Sequence, residues 1–416
     1  MKNILTNVIN PVSCEVIQFL PEQVISIEGS KITAIIPKQE FQGIVDEDLS
    51  HQFALPGFID LHIHLSQYYI RGLYEPALLP WLNKYVFPEE ARSKDNEYAQ
   101  KLSRDFFSAL LKDGTTTAVI YTAPFFEACN TAFEIASEIG IRALIGMTLM
   151  DKNCPEPLKQ DSHKAIEDSF LLYEKWHNKN AKLDYVFTPR FAPTCSMELM
   201  QEIGKFAKKH NAWIQTHLSE NKAELNLVKE LFGFDNYTLV YEKAGLLSEH
   251  SIFAHCIHLD DSELQLLAEN KCKIAHCPDS NFFLKSGEFP IKRIEEKGIA
   301  YGLGSDVGSG TTINMLYHTK MMNYRQSWEP VSAAKALYYI TLGSARLLGL
   351  DSEIGSLETG KEADIVFIEP AEDFLVDDNI ISKLVFCESD FTITHTLVGG
   401  KELKMFFSVP EIAEEP

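Results

Sequence analysis

The sequence predicts an α/β protein, a (β/α)8 TIM-type barrel carrying a small β-sandwich domain formed by its two ends. Eight short, nearly continuous apolar runs alternate with amphipathic stretches between about residues 56 and 345: 58–64, 116–121, 143–150, 185–190, 213–217, 251–255, 273–276 and 300–304. Runs of that kind suit parallel strands buried on both faces. Polar residues gather at the carboxyl ends of several runs, which is where barrel sites form. Both chain ends, by contrast, hold short β-prone pieces set off by Pro and Gly.

Each part follows from local chemistry. In residues 1–55 the pieces 24–27 and 32–36 are broken by Pro21, Gly29-Ser30 and Pro37. Within the barrel, Tyr98, Leu102, Phe106 and Leu110 recur at helical spacing. Gly114, Gly140 and Gly298 stand where helices should stop in the left-handed region. Asp260 with Glu263 reads as a capping box before Leu264 and Leu267. In 352–416 the pieces 365–368 and 392–398 are flanked by Gly360, Pro370 and Gly399-Gly400. Neither end has enough strands for a sheet of its own, so the two are expected to pair. The expected boundaries are 1–55, 56–351 and 352–416.

Composition narrows the function. At 416 residues the chain exceeds what one core usually holds, and its net charge of −21 argues against nucleic-acid backbones and anionic membranes. The first residues lack an apolar signal core, and runs such as 141–150 are too short for the ~20 residues of a membrane helix. Eight cysteines stand singly without a Cys-x-x-Cys pair, as reduced thiols of a cytoplasmic enzyme would. The acidic end, 411–416, is expected to fray. Between residues 65 and 93 the chain carries Tyr68, Tyr69, Tyr74, Trp81, Tyr85 and Phe87, and a long connection at the barrel mouth suits a lid.

The chemistry begins at Pro56-Gly57-Phe58-Ile59-Asp60-Leu61-His62-Ile63-His64. On a strand His62 and His64 share a face, while Leu61 and Ile63 point into packing. Later strand ends bring Arg190, His217, His255 and Asp306. In a barrel these ends meet at one mouth, so His62, His64, His217, His255 and Asp306 can surround one ion. A catalytic zinc takes about three protein ligands and keeps a position for water. Rival motifs fail: Gly302-x-Gly304 lacks dinucleotide spacing, and no P-loop, His-Glu-x-x-His or HxE…PCxxC signature is present. His276 and Cys277 are expected to be structural.

These residues resemble the amidohydrolase superfamily: PGFIDLHIH, Thr216-His217, His255, Gly304-Ser305-Asp306, and the segment from Gly355 to Asp364. The resemblance spans nearly the whole chain. Strand four has no lysine for a bridging carbamate, which points to the mononuclear, deaminase-like subgroup. Within it, HIHLSQY, PWLNKYVFPEEAR (80–92), TPRFAPTCS (188–196), QTHLSEN, AHCPDSN and GLGSDVG are similar to its guanine-deaminating members.

That resemblance implies one Zn2+ per chain, with Fe2+ or Mn2+ as alternatives, held by His62, His64, His217 and Asp306. It implies Glu220 as proton shuttle, His255 beside the activated water, and Asp306 as the base that takes the water's proton. Gln67, Arg190, Phe191, Glu220 and His255 would surround a small-molecule purine, guanine going to xanthine and ammonia, in a homodimer. The alternatives are another mononuclear amidohydrolase, acting on a pterin, adenosine-type or triazine substrate, and a non-catalytic scaffold with a structural metal.

Overall fold

The computed structural model describes residues 1–403, so the acidic end lies outside the described residues. In chain order the strands are β1 (Lys2–Pro11), β2 (Ile17–Glu28), β3 (Lys31–Pro37) and β4 (Glu47–Pro56). Then come β5 (Phe58–His64), β6 (Thr115–Thr122), β7 (Arg142–Leu149), β8 (Leu183–Pro189), β9 (Trp213–Leu218), β10 (Ser251–His255), β11 (Lys273–His276) and β12 (Ala300–Leu303). β13 (Ile365–Pro370), β14 (Phe391–Val398) and β15 (Lys401–Glu402) complete the set. All eight runs read from the sequence are strands, and β5, β10 and β11 match residue for residue.

The two ends share one seven-stranded sheet in the order β15-β14-β13-β4-β1-β2-β3. Its seam is the antiparallel β13–β4 pair, Ile365 opposite Pro56 through Ile368 opposite Phe53. Ile4, Val8, Ile25, Ala54, Ile365 and Phe367 pack into a core separate from that of the barrel. Pro21 does not break a strand, contrary to expectation; β2 runs straight through it. Opposite it the register slips between Thr6 and Val8, and Glu22 adopts a positive φ of 48° with its N–H on Asn7 Oδ1. A bulge tolerates proline because the residue need not donate to the ladder.

β5 to β12 form the second sheet, neighbours in chain order and parallel throughout. The barrel closes where the chain leaves β12. The Asp306 N–H donates to the His62 carbonyl and the His64 N–H to the Val307 carbonyl, each at 2.8 Å. Only glycine allows that approach at residue 304, since a Cβ there would lie 2.7 Å from the His62 Cβ. Ile59, Leu61, Val119, Leu144, Val186, Ile252 and Ala275 form an apolar plug that packs on Ala345, Leu347 and Ile354.

β5 departs from strict alternation. Its register with β6 shifts between Asp60 and Ile63, so Leu61 joins the plug while Ile63 joins the outer core beneath the helices. The helix signals hold: Gly114, Gly140 and Gly298 all have positive φ, and Asp260 with Glu263 closes a capping box. Leu102, Phe106 and Leu110 face the core from the helix Asn96–Lys112. Among the described residues no helix is long and apolar enough to cross a membrane.

Candidate functional site

At the mouth above the plug, three imidazoles and a carboxylate converge. The Nε2 atoms of His62 and His64 are 3.2 Å apart, and those of His64 and His217 are 3.3 Å apart. Asp306 Oδ1 lies 3.2 Å from both His62 Nε2 and His64 Nε2. His217 is oriented from behind, with Nδ1 2.6 Å from the Arg190 carbonyl. A carbonyl only accepts, so Nδ1 carries the hydrogen and the Nε2 lone pair faces the cluster. Burial holds His64 and His217 below the usual imidazole range and pushes His62 down to about 4, so all three are neutral near pH 7.

Three neutral imidazoles and a carboxylate converging on one point offer a ligand set for a cation. A tetrahedral ion with metal–nitrogen bonds of about 2.0–2.1 Å separates its ligands by about 3.3 Å, which is the spacing found here. The four side chains therefore fit one divalent metal, with ligand atoms all within 4.8 Å of one another. Burial alone would raise the Asp306 carboxyl, but its contacts with His62 and His64 hold it well below the carboxylate range.

Two strand ends pass through the left-handed region to aim their side chains. His255 has φ 70° and Asp306 has φ 51°. Such conformations cost on the order of 1–3 kcal/mol each and persist only where surroundings enforce them. At His255 the following N–H is tied to the Leu218 carbonyl at 2.9 Å, and at Asp306 its own N–H is tied to His62.

Beside the cluster stands a carboxylate–imidazole pair. His255 Nε2 lies 3.6 Å from Glu220 Oε2 and 3.8 Å from Asp306 Oδ2. Its Nδ1 donates to Asn281 Oδ1 at 2.7 Å. Burial disfavours its charge, but Glu220 and Asp306 outweigh that and raise its pKa. Burial raises Glu220, whose Oε1 accepts from Ser286 Oγ at 2.8 Å. Asp306 Oδ2 accepts from Ser309 Oγ at 2.7 Å.

A cavity opens over these groups. Gln67, Arg190 and Phe191 line it; so do Trp81, from the aromatic 65–93 connection, and Leu78, Leu82 and Glu224, which sequence reasoning passed over. Leu78 to Leu82 belong to the 65–93 connection. That connection is a chain of short helical pieces, Leu65–Ile70, Leu78–Trp81, Leu82–Val86 and Phe87–Arg92, rather than an open loop. Glu90, also missed, is buried behind the cavity on the last piece and pairs with Arg190 at 2.6 Å. Its signal was two adjacent acids in a segment otherwise rich in apolar residues. Cys277 comes within ligand reach of His255 and Asp306, while His276 stacks on Phe289 at 4.2 Å.

Known proteins resemble this chain in sequence and fold. The amidohydrolase family model matches residues 53–403. A guanine deaminase of Escherichia coli is 42% identical over 85% of this chain and 83% of its own. That of Homo sapiens is 33% identical over 86% and 84%. Among solved structures, a guanine deaminase from C. acetobutylicum with bound guanine in its active site superposes with a TM-score of 0.89 at 29% identity, covering 97% of this chain and 100% of that one. A matching family model over the barrel and the C-terminal strands of the other sheet, together with relatives of this identity, leads to one conclusion: the chain belongs to the amidohydrolase family.

Proposed function

We propose that this protein hydrolyses guanine to xanthine and ammonia, using one Zn2+ held by His62, His64, His217 and Asp306. The observation that carries the reading is the juxtaposition of that ligand set with a buried Glu220–His255 pair and a cavity bearing Arg190 and Gln67. Its likeness to guanine deaminases supports the choice of base. When bound, a zinc ion lowers the pKa of a coordinated water to about 7.

The side chains supply the proton transfers. Asp306 Oδ2, fixed by Ser309, is placed to take a proton from the incoming water as it adds to C2 of the purine. Glu220, raised by burial, gives its proton to the adjacent ring nitrogen, recovers one from the C2 hydroxyl as the carbonyl forms and passes it to the departing amine. The proton taken by Asp306 then returns Glu220 to its acid form. His255 Nε2, aimed between Glu220 and Asp306, hydrogen-bonds the oxygen that develops negative charge. Arg190 and Gln67 supply donors to the purine edge, and Phe191 walls the cavity. A site built on such hydrogen bonds rejects analogues lacking the partner group.

The test is the absorbance change of guanine turning to xanthine, with ammonia release from adenine, cytosine and ammeline measured in parallel. Guanine turnover that a chelator abolishes and Zn2+ restores is the expected result. Preference for another heterocycle, or turnover indifferent to the chelator, would overturn the reading. Eight free thiols support a reducing compartment, the cytoplasm.

A further inference from the structure

Glu90 has no part in the transfers above, yet it is almost fully buried and touches both polar side chains assigned to the purine edge. Gln67 Nε2 donates to its Oε1 at 2.9 Å, and Arg190 Nη1 donates to its Oε2 at 2.6 Å. Ser66 Oγ adds a longer contact to Oε1 at 3.4 Å. Gln67 and Arg190 line the cavity and Glu90 stands behind them.

We infer that Glu90 is a positioning residue for substrate selection: it fixes Gln67 and Arg190 against a carbonyl-bearing neutral purine and cancels the charge of Arg190, so that the pocket does not favour anions. The inference rests on the proposed function and concerns how that site chooses its ligand.

The chemistry of the acceptor makes the orientation unambiguous. A carboxylate only accepts, so the Gln67 amide must turn its NH2 towards Glu90. Its carbonyl then faces the other way, where the Gly308 N–H donates to Oε1 at 3.3 Å. Arg190 is held equally firmly. Phe87, one turn before Glu90 on the helix Phe87–Arg92, places its ring 5.3 Å from the guanidinium carbon. The same helix thus supplies the carboxylate and the ring that pin the arginine.

Charge balance follows from burial. Arg190 is 3% exposed and Glu90 is 1% exposed, so neither is well screened by solvent. An arginine without that partner would present a full positive charge to the cavity and draw in anionic ligands.

The experiment compares wild type with Glu90→Gln and Glu90→Asp. It measures kcat and KM for guanine, and the inhibition constants of hypoxanthine, which is neutral, and of xanthine at a pH where it has lost a proton. Glu90→Gln is expected to raise KM by about tenfold or more while kcat falls less, and to improve xanthine binding relative to hypoxanthine by a similar factor. Glu90→Asp keeps the charge and should recover most of the anion discrimination while retaining part of the KM defect. If Glu90→Gln does not fold, the KM of Glu90→Asp decides: a value within twofold of wild type overturns the inference. So does an unchanged xanthine-to-hypoxanthine ratio in a folded Glu90→Gln. Binding of both inhibitors is also measured by calorimetry. A wild type that binds them without turning over guanine overturns the proposed function alone; one that binds neither overturns both.

Discussion

The cavity has two walls of different construction. The ligand wall, with His62, His64, His217, His255 and Asp306, is made of strand ends, each tied into the barrel by main-chain hydrogen bonds. The opposite wall, with Gln67, Leu78, Trp81 and Leu82, is made of short helical pieces between β5 and its helix, and Arg190 is bound to it through Glu90. The first wall is fixed by the barrel closure itself. The second is anchored by side-chain contacts to a separate segment. Side chains on the second wall can therefore be altered without disturbing the His62, His64, His217 and Asp306 cluster.

Substitutions on each wall should separate those roles, and the largest effect belongs to the ligand wall. His217→Ala removes one nitrogen of the cluster; turnover is expected to fall by about 10⁴-fold or more, with metal lost from the purified protein by elemental analysis. Glu220→Gln leaves every ligand in place. Metal content should stay at wild type while kcat falls by about 10²–10⁴-fold, the usual worth of positioned acid–base catalysis.

On the recognition wall, Arg190→Ala should keep the metal yet strand Glu90 as a buried, unpaired charge. Thermal or denaturant unfolding is expected to show a loss of about 3–5 kcal/mol, and the fall in kcat/KM for guanine should lie mainly in KM. The smallest effect concerns pH. Burial and the charge of Glu220 push Glu224 up to about 7 from 4.5. In that window the folded state binds more protons than the unfolded chain, so stability is greatest below the lower value and declines as pH rises through the upper one. Glu224→Gln should flatten that decline in a melting-temperature series between pH 4.5 and 7.

Legibility followed the same division. His62, His64, His217, His255 and Asp306 could be read because each stands at or just beyond the end of an apolar run, and the run itself marks the strand. The bend in β5 could not be read: the register slip between Asp60 and Ile63 depends on β6, some fifty residues away. β1 and β4 were missed for a related reason. They pair with each other, and β4 with β13, across long sequence separations, and their alternation is interrupted by polar residues such as Asn7 and Gln52 that bond across the sheet. Glu90 was invisible as a functional residue because an acid on a short helix reads as a solvated face until its partner, one hundred residues later, is known.

The central claim is one divalent ion shared by His62, His64, His217 and Asp306. Anomalous diffraction at the zinc edge from crystals of the zinc-loaded protein tests it most directly. A single strong peak within bonding distance of those three Nε2 atoms and Asp306 Oδ1 is the predicted result. No peak there in crystals of protein that still turns over guanine would contradict the account.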